Sequence, residues 1–333
     1  MPRKPSLTDS LGRIHTNLRM SVTDRCNIRC FYCMPEENVE FKPRDEILTF
    51  EELIRFARIN SELGVNKIRL TGGEPLVRKD LSELIRELHQ LNGIADIALT
   101  TNAVLLADQA EALKQAGLDR INISLDTLSD ETFFRISRRR GIDKVLEGIR
   151  AAQEVGMKTI RLNAIAIRGL TENEILPLAH FAIERSLELR FIEFMPLDAD
   201  NNWGSQAVLT GQEIRRTLEK EFGTLLKADR PDASQPAVDF KFASGEGRIG
   251  FINPVSEPFC DSCNRLRITA EGKVRNCLFS IAEWDARQML RDGSSDTQIE
   301  QLVRDCVANK KPAHGIDTPD FEKPERAMYQ IGG

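Results

Sequence analysis

Two hydrophobic periods alternate along the first two-thirds of the chain. Short β-branched runs read as strands over 18–23, 67–71, 96–101, 120–125, 158–167 and 188–194. Between them, amphipathic patterns of helical spacing cover 50–63, 80–91, 107–116, 143–155 and 173–186. Gly64, Gly93, Gly117 and Gly156 stand just before the next strand, where a chain leaving a helix adopts left-handed angles. Such alternation means βα units on a parallel sheet. Six units predict an α/β fold of the partial (β/α)6 barrel type, with a doubly wound open sheet as the alternative. Residues 34–49 form a long insertion after the first strand, expected to be lid-like.

After residue 198 the pattern changes. Residues 198–208 and 228–237 read as loops, and strand-like segments begin near 238. A helix is expected over 281–291, followed by a polar, Pro-containing and partly mobile remainder. This divides the chain into a core over 10–230 and a C-terminal region over 231–333.

Composition narrows the function. The chain has 333 residues, 41% of them hydrophobic, which suffices for a real core. A net charge of −5 argues against broad nucleic-acid binding, which needs a basic field. No apolar run is long enough to span a membrane. Residues 1–17 lack the apolar core of a signal peptide, and their basic residues hint only weakly at a transit peptide. The seven cysteines are grouped, which fits a reducing, cytoplasmic setting rather than a disulfide scaffold.

Cys26, Cys30 and Cys33 are spaced by three residues and then by two. Three thiolates can hold three irons of a [4Fe–4S] cubane and leave the fourth open to a small molecule. Tyr32 precedes the last of them. A zinc knuckle would want a fourth Cys or His nearby, and the nearest His is His15, upstream. This triplet is the signature of radical S-adenosylmethionine (radical SAM) enzymes. A second triplet, Cys260, Cys263 and Cys277, is open to structural zinc or to another cluster. Cys306 reads as an ordinary core cysteine.

Polar residues recur where the strands end: Thr71 to Pro75, Thr100 to Asn102, Ser124 with Asp126, and Glu193 with Met195. In barrels these ends carry the chemistry. Gly245-Glu246-Gly247-Arg248-Ile249-Gly250 satisfies G-x-G-x-x-G, but Phe251-Ile252-Asn253-Pro254 follows it and starts no helix, so it reads as a turn between strands. Arg138-Arg139-Arg140 reads as a solvated loop.

The two Cys triplets, Leu70-Thr71-Gly72-Gly73-Glu74-Pro75, Arg190-Phe191-Ile192-Glu193-Phe194-Met195, Cys263-Asn264-Arg265-Leu266-Arg267 and the ending Ile331-Gly332-Gly333 together resemble the GTP 3′,8-cyclase family of molybdenum cofactor biosynthesis. The resemblance runs from about residue 18 to the end. It implies two [4Fe–4S] clusters, on Cys26/Cys30/Cys33 and on Cys260/Cys263/Cys277. The first binds SAM, whose cleavage yields a 5′-deoxyadenosyl radical that removes the 3′ hydrogen of GTP. The second holds the guanine. The product is (8S)-3′,8-cyclo-7,8-dihydroguanosine 5′-triphosphate.

By the same resemblance Tyr32, Gly73, Ser124 and Met195 line the SAM pocket. Arg19, Arg69, Thr100, Arg161, Arg265 and Arg267 bind GTP, with Lys67 and Arg190 as further anion donors. Arginine suits this task because it offers bidentate donors to phosphate. Arg265 and Arg267 flank Leu266, so in a strand they face one side. Arg161 stands where the family usually has Lys, and Ala103 where it usually has Gly. Gly332 and Gly333 are expected to reach into the site. An external flavodoxin- or ferredoxin-like electron donor, cyclic pyranopterin monophosphate synthase downstream and room for a homodimer are also implied. The alternative reading is a radical SAM peptide-modifying enzyme with an auxiliary cluster. A non-enzyme reading is an iron–sulfur electron carrier or a zinc-stabilised module.

Overall fold

The computed structural model describes residues 4–201, 203–229, 232–243, 245, 247–316 and 318–332. The expected alternation is present. Strands β1 (Asn17–Ser21), β2 (Lys67–Thr71), β3 (Asp96–Thr101), β4 (Arg120–Ser124), β5 (Thr159–Ala166) and β6 (Glu188–Glu193) run parallel and side by side. Helices α1 (Phe50–Glu62), α2 (Leu81–His89), α3 (Ala110–Gln115), α4 (Asp130–Ser137), α5 (Ile142–Glu154) and α6 (Ile175–Glu184) fall in the connections.

Local chemistry explains these elements. Helix α1 opens with a capping box: the Thr49 hydroxyl accepts from the Glu52 amide, and the Glu52 carboxylate accepts from the Thr49 amide. Helix α2 buries Leu81, Leu84, Ile85 and Leu88, one stripe at helical spacing, against the sheet core. The strands are buried on alternate or successive positions, as a sheet covered by helices requires.

The C-terminal part extends this sheet at both edges. Beyond β6 lie β7 (Leu225–Lys227), β8 (Val238–Phe242) and β9 (Arg248–Ile252). Beyond β1 lie β10 (Arg265–Ile268), β11 (Lys273–Arg275) and β12 (Trp284–Asp285). The order is β12-β11-β10-β1-β2-β3-β4-β5-β6-β9-β8-β7, an open sheet of the partial-barrel type. Strands β9 and β10 continue the parallel run, while the outer strands are antiparallel. Gly245 and Gly247 of the G-x-G-x-x-G segment lie between the antiparallel strands β8 and β9, and Glu246 lies outside the described residues.

Helix α7 (Gly211–Phe222) fills the stretch between the two expected loops. Three expectations need correction. The helix expected over 281–291 begins only at Ala286 (α8, Ala286–Arg291). The remainder also contains α9 (Asp296–Ala308), started by a Ser295/Gln298 capping box and seated through Ile299, Val303, Cys306 and Val307. Its polar surface hid a short apolar stripe. The 34–49 segment is pinned rather than lid-like. The Lys42 amide donates to Asp24 at 2.6 Å, the Leu48 amide to the Ala270 carbonyl at 2.8 Å, and Arg291 to the Asp45 carbonyl at 2.6 Å.

Candidate active site

The first cysteine loop leaves β1 and is fastened to the loop that leaves β2. The Gly73 amide donates to Thr23 O at 2.8 Å, and the Glu74 amide to Arg25 O at 2.8 Å. A Cβ on Gly73 would sit 2.4 Å from Arg25 O, so only glycine allows this approach. On its other side the loop hangs from the end of α4, through Arg29 N to Ser137 O and Phe31 N to Ile136 O. Cys26, Cys30 and Cys33 are free thiols on the wall of one cavity of about 280 Å³. Burial pushes the Cys26 thiol up to about 11, and raises Cys30 and Cys33 as well.

Two buried carboxyls brace this end of the barrel. Glu74 accepts from Thr101 Oγ1 and the Asn102 amide, both at 2.7 Å, and from the Leu76 amide at 3.0 Å. Burial pushes it up to about 7 despite these donors. Asp126 accepts from the Tyr32 hydroxyl at 2.6 Å and the Ile165 amide at 2.7 Å, and burial lifts it to about 6.

The second triplet lies on the same cavity wall. Cys260 opens a 3₁₀ turn, whose Cys263 amide donates to Cys260 O at 3.0 Å. Burial opposes ionisation of Cys263, but Arg265 and Lys310 outweigh it and bring the thiol down to about 6. Arg265 Nε and Nη2 lie 3.3 and 3.2 Å from Cys263 Sγ, and its guanidinium rests over the Phe259 ring. Cys306 is buried in α9, away from the cavity wall, as an ordinary core residue.

Between the triplets runs a row of arginines. In register, Arg19 on β1 lies beside Arg267 on β10 and Arg69 on β2. All three line the cavity, and none forms an ion pair with a carboxylate among the described residues. Burial, then mutual repulsion, lowers Arg19 and Arg69 well below the usual guanidinium range and Arg267 to about 9. Like charges side by side in a sheet are destabilising. Buried Arg19 Nε, Arg190 Nε and Thr100 Oγ1 have no hydrogen-bond partner among the described residues. Such a wall is built for an anion.

Tyr32, Gly73, Ser124 and Met195 line the cavity, as do Thr100, Arg190, Arg265 and Arg267. Lys67 and Arg161 do not. Lys67 is ion-paired with Asp232, and Arg161 with Glu188. Arg190 lies 3.4 Å from Asp239 and keeps a place on the wall. Gly332 is buried at φ +82°, where a Cβ would stand 2.8 Å from Ser21 Cβ. Gly333 lies outside the described residues. Ala103 takes φ +61°, the conformation its usual glycine would supply. Of the Arg138–Arg140 run, Arg138 turns inward to the Met34 carbonyl, while Arg140 pairs with Asp130 at the surface.

Arg13 and Lys310, unmarked in the sequence, also join the wall, as does Asn102. Asn102 Nδ2 reaches Asn27 Oδ1 at 2.7 Å and lies 3.8 Å from Cys26 Sγ. Only the Thr100-Thr101-Asn102 strand end hinted at this one. Lys310 sits in a polar run with no periodicity to mark it.

Cluster chemistry fits these residues. Each triplet offers three reduced thiols close enough to repel one another as they ionise. Thiolate-only donor sets suit iron–sulfur clusters.

A three-thiol loop after the first strand of an open parallel α/β sheet defines a radical SAM enzyme. The radical SAM superfamily model matches residues 20–182, and Molybdenum Cofactor Synthesis C matches residues 187–316. The chain is 52% identical to the GTP 3′,8-cyclase of Rhodopirellula baltica, over 98% of this chain and 92% of that one. It is 43% identical to that of Paenarthrobacter nicotinovorans, over 98% and 97%. The chain belongs to the GTP 3′,8-cyclase family. Its fold is shared with Streptococcus suis SuiB bound to precursor peptide SuiA, at TM-score 0.63 and 15% identity, over 95% of this chain and 75% of that one.

Proposed function

We propose that the two cysteine triplets hold two [4Fe–4S] clusters facing each other across the cavity, and that the arginine row between them holds the triphosphate of GTP. The enzyme cyclises GTP to (8S)-3′,8-cyclo-7,8-dihydroguanosine 5′-triphosphate, the first step of molybdenum cofactor biosynthesis. The chemistry supplied at Cys26, Cys30 and Cys33 is one-electron cleavage of SAM, which yields the oxidant for the ribose 3′ hydrogen.

The chain's own residues supply position and charge. Tyr32, Gly73, Ser124 and Met195 wall the SAM side, with Tyr32 fixed by Asp126. Arg19, Arg69 and Arg267 neutralise phosphate where no carboxylate competes, and Thr100 and Arg190 add donors with free capacity. Arg265 joins them from its seat on Cys263. Arg161 and Lys67 reach the anion only by exchanging Glu188 and Asp232. Gly332 closes the space beside Ser21 of β1 and Thr71 of β2.

In this reading residues 10–230 form the radical core, and 231–333 bring the second cluster, GTP contacts and the tail. The same reading includes a cytoplasmic location, a flavodoxin- or ferredoxin-like donor and cyclic pyranopterin monophosphate synthase as the next enzyme, and it leaves room for a homodimer. Among the described residues no helix is long and apolar enough to cross a membrane.

The register row Arg267–Arg19–Arg69 carries the proposal. The peptide-modifying alternative leaves those three charges without a ligand. Anaerobic incubation with GTP, SAM and a strong reductant, followed by mass spectrometry, tests it. The cyclised nucleotide should appear together with 5′-deoxyadenosine. Iron-replete enzyme that cleaves SAM yet leaves GTP intact would overturn the assignment.

A further inference from the structure

The proposed function gives Lys310 no role. It follows α9 and is 5% exposed. Its ammonium lies 3.3 Å from Cys263 Sγ and donates to Arg265 O at 3.0 Å. It forms no ion pair with a carboxylate among the described residues. Burying an ammonium is costly unless an anion compensates it. The anion within reach is the Cys263 thiolate.

The backbone around Lys310 is clamped. Arg13 donates to the carbonyls of Lys311 at 2.9 Å, Pro312 at 3.0 Å and Cys260 at 2.9 Å. Arg13 is itself held by Asp9, Nε to Oδ2 at 2.6 Å. One guanidinium thus ties the Lys310 segment to the turn that carries Cys260 and Cys263. The ammonium is held at the sulfur by structure, not by chance of rotamer.

We propose that Lys310 is a positioning residue of the second cluster, which sets that cluster's charge and reduction potential by donating to the Cys263 thiolate. The inference rests on the reading of Cys260, Cys263 and Cys277 as a cluster site. Net charge and hydrogen bonds to sulfur govern the potential of such clusters. A fixed cation at the sulfur withdraws electron density and favours the reduced form. Arg265 shares the sulfur but also stands in the cationic wall that faces the substrate. Lys310 pairs with no carboxylate among the described residues; it is hydrogen-bonded to Cys263, and Cys277 acts on it only through space.

The test uses the full-length chain with Cys26, Cys30 and Cys33 all replaced by Ala, so that only the second cluster can assemble. Iron and sulfide are counted, and the midpoint potential is read by EPR-monitored titration without GTP. Lys310→Met should make reduction at least tenfold less favourable, about 59 mV for one electron. Lys310→Arg, which keeps the charge, should stay close to the parent. An unchanged midpoint in Lys310→Met at full iron content overturns the proposal, and so does weakened GTP binding with an unchanged midpoint. Should Lys310→Met fail to hold the cluster, retention in Lys310→Arg supports a charge role, whereas equal loss in both overturns it. A parent chain that binds no iron and sulfide refutes the second-cluster reading itself, and this proposal falls with it.

Discussion

Arg267 donates from Nη1 to the carbonyl of Gly332 at 2.7 Å, and both residues are buried. One arginine of the row on β10, β1 and β2 is therefore tied to the residue that follows the Met328–Ile331 turn. Arg267→Ala should weaken GTP binding by roughly 1.5–3 kcal/mol, the worth of a charge-assisted contact. It should also free the tail, seen as faster proteolysis after residue 320. Wild-type GTP affinity in this variant would remove Arg267 from the site.

The tail is anchored before it enters. Arg326 grips the Glu283 carboxylate with two nitrogens, at 2.6 and 2.8 Å, and also pairs with Glu271 at 2.7 Å. Tyr329 and Ile331 are buried just beyond. Deleting Gly332 and Gly333 should leave iron content unchanged and largely abolish cyclisation. A short peptide ending in Gly-Gly should restore part of it, because the channel remains. Arg326→Ala should show a milder loss of the same kind. Full activity in the truncated enzyme, at matched iron content, would make the tail dispensable.

The two cysteine sets should separate by function. Cys30→Ala is expected to lose SAM cleavage altogether. Cys263→Ala should keep the first cluster, measured by EPR with SAM added, and lose GTP cyclisation. Normal cyclisation in Cys263→Ala would reduce the second set to a structural role.

Glu74 gives a pH signature. Burial raises its carboxyl to about 7, from an ordinary value of 4.5. The folded protein therefore holds a proton there that the unfolded chain has released between those values. Its contribution is intact below pH 4.5 and is lost as pH rises toward 7, by up to roughly 3 kcal/mol. Glu74→Gln cannot titrate, so its stability relative to wild type should improve between pH 5.5 and pH 7.5. Thermal melts at both values decide; an identical difference at each pH would mean that Glu74 titrates normally.

Ala103 carries backbone strain at φ +61°. Left-handed angles cost a non-glycine residue about 1–2 kcal/mol, part of which glycine returns as unfolded-state entropy. Ala103→Gly should stabilise the protein by about 0.5–1 kcal/mol in denaturant unfolding. A loss of stability would show that the Ala103 methyl contributes more through packing than the strain costs.

The repeated barrel units were legible because each strand and helix carries its own period. The bounds of β2 and β3 coincide with the expected 67–71 and 96–101. Helix α9 was missed because its apolar stripe is only Ile299, Val303, Cys306 and Val307 in a polar stretch. The first cysteine triplet announced its chemistry by spacing, whereas the spacing of the second left zinc and a cluster both open. Arg161 and Lys67 read as anion donors, yet Glu188 and Asp232, far off in sequence, had already paired with them. Lys310 gave no signal, since its meaning depends on a sulfur 47 residues away.

By itself the sequence determined the βα alternation, the two thiol triplets and the supply of arginines, since periodicity and spacing are local properties of a chain. Tertiary structure decided which of those arginines stand free. Arg19 meets Arg267 only because β10 returns from the far end of the chain to pair with β1. That pairing sets the second triplet on the same cavity as the first and brings Gly332 beside Ser21. Charge becomes a binding site only when burial removes water and topology withholds the neutralising carboxylate, and neither is written in any one segment.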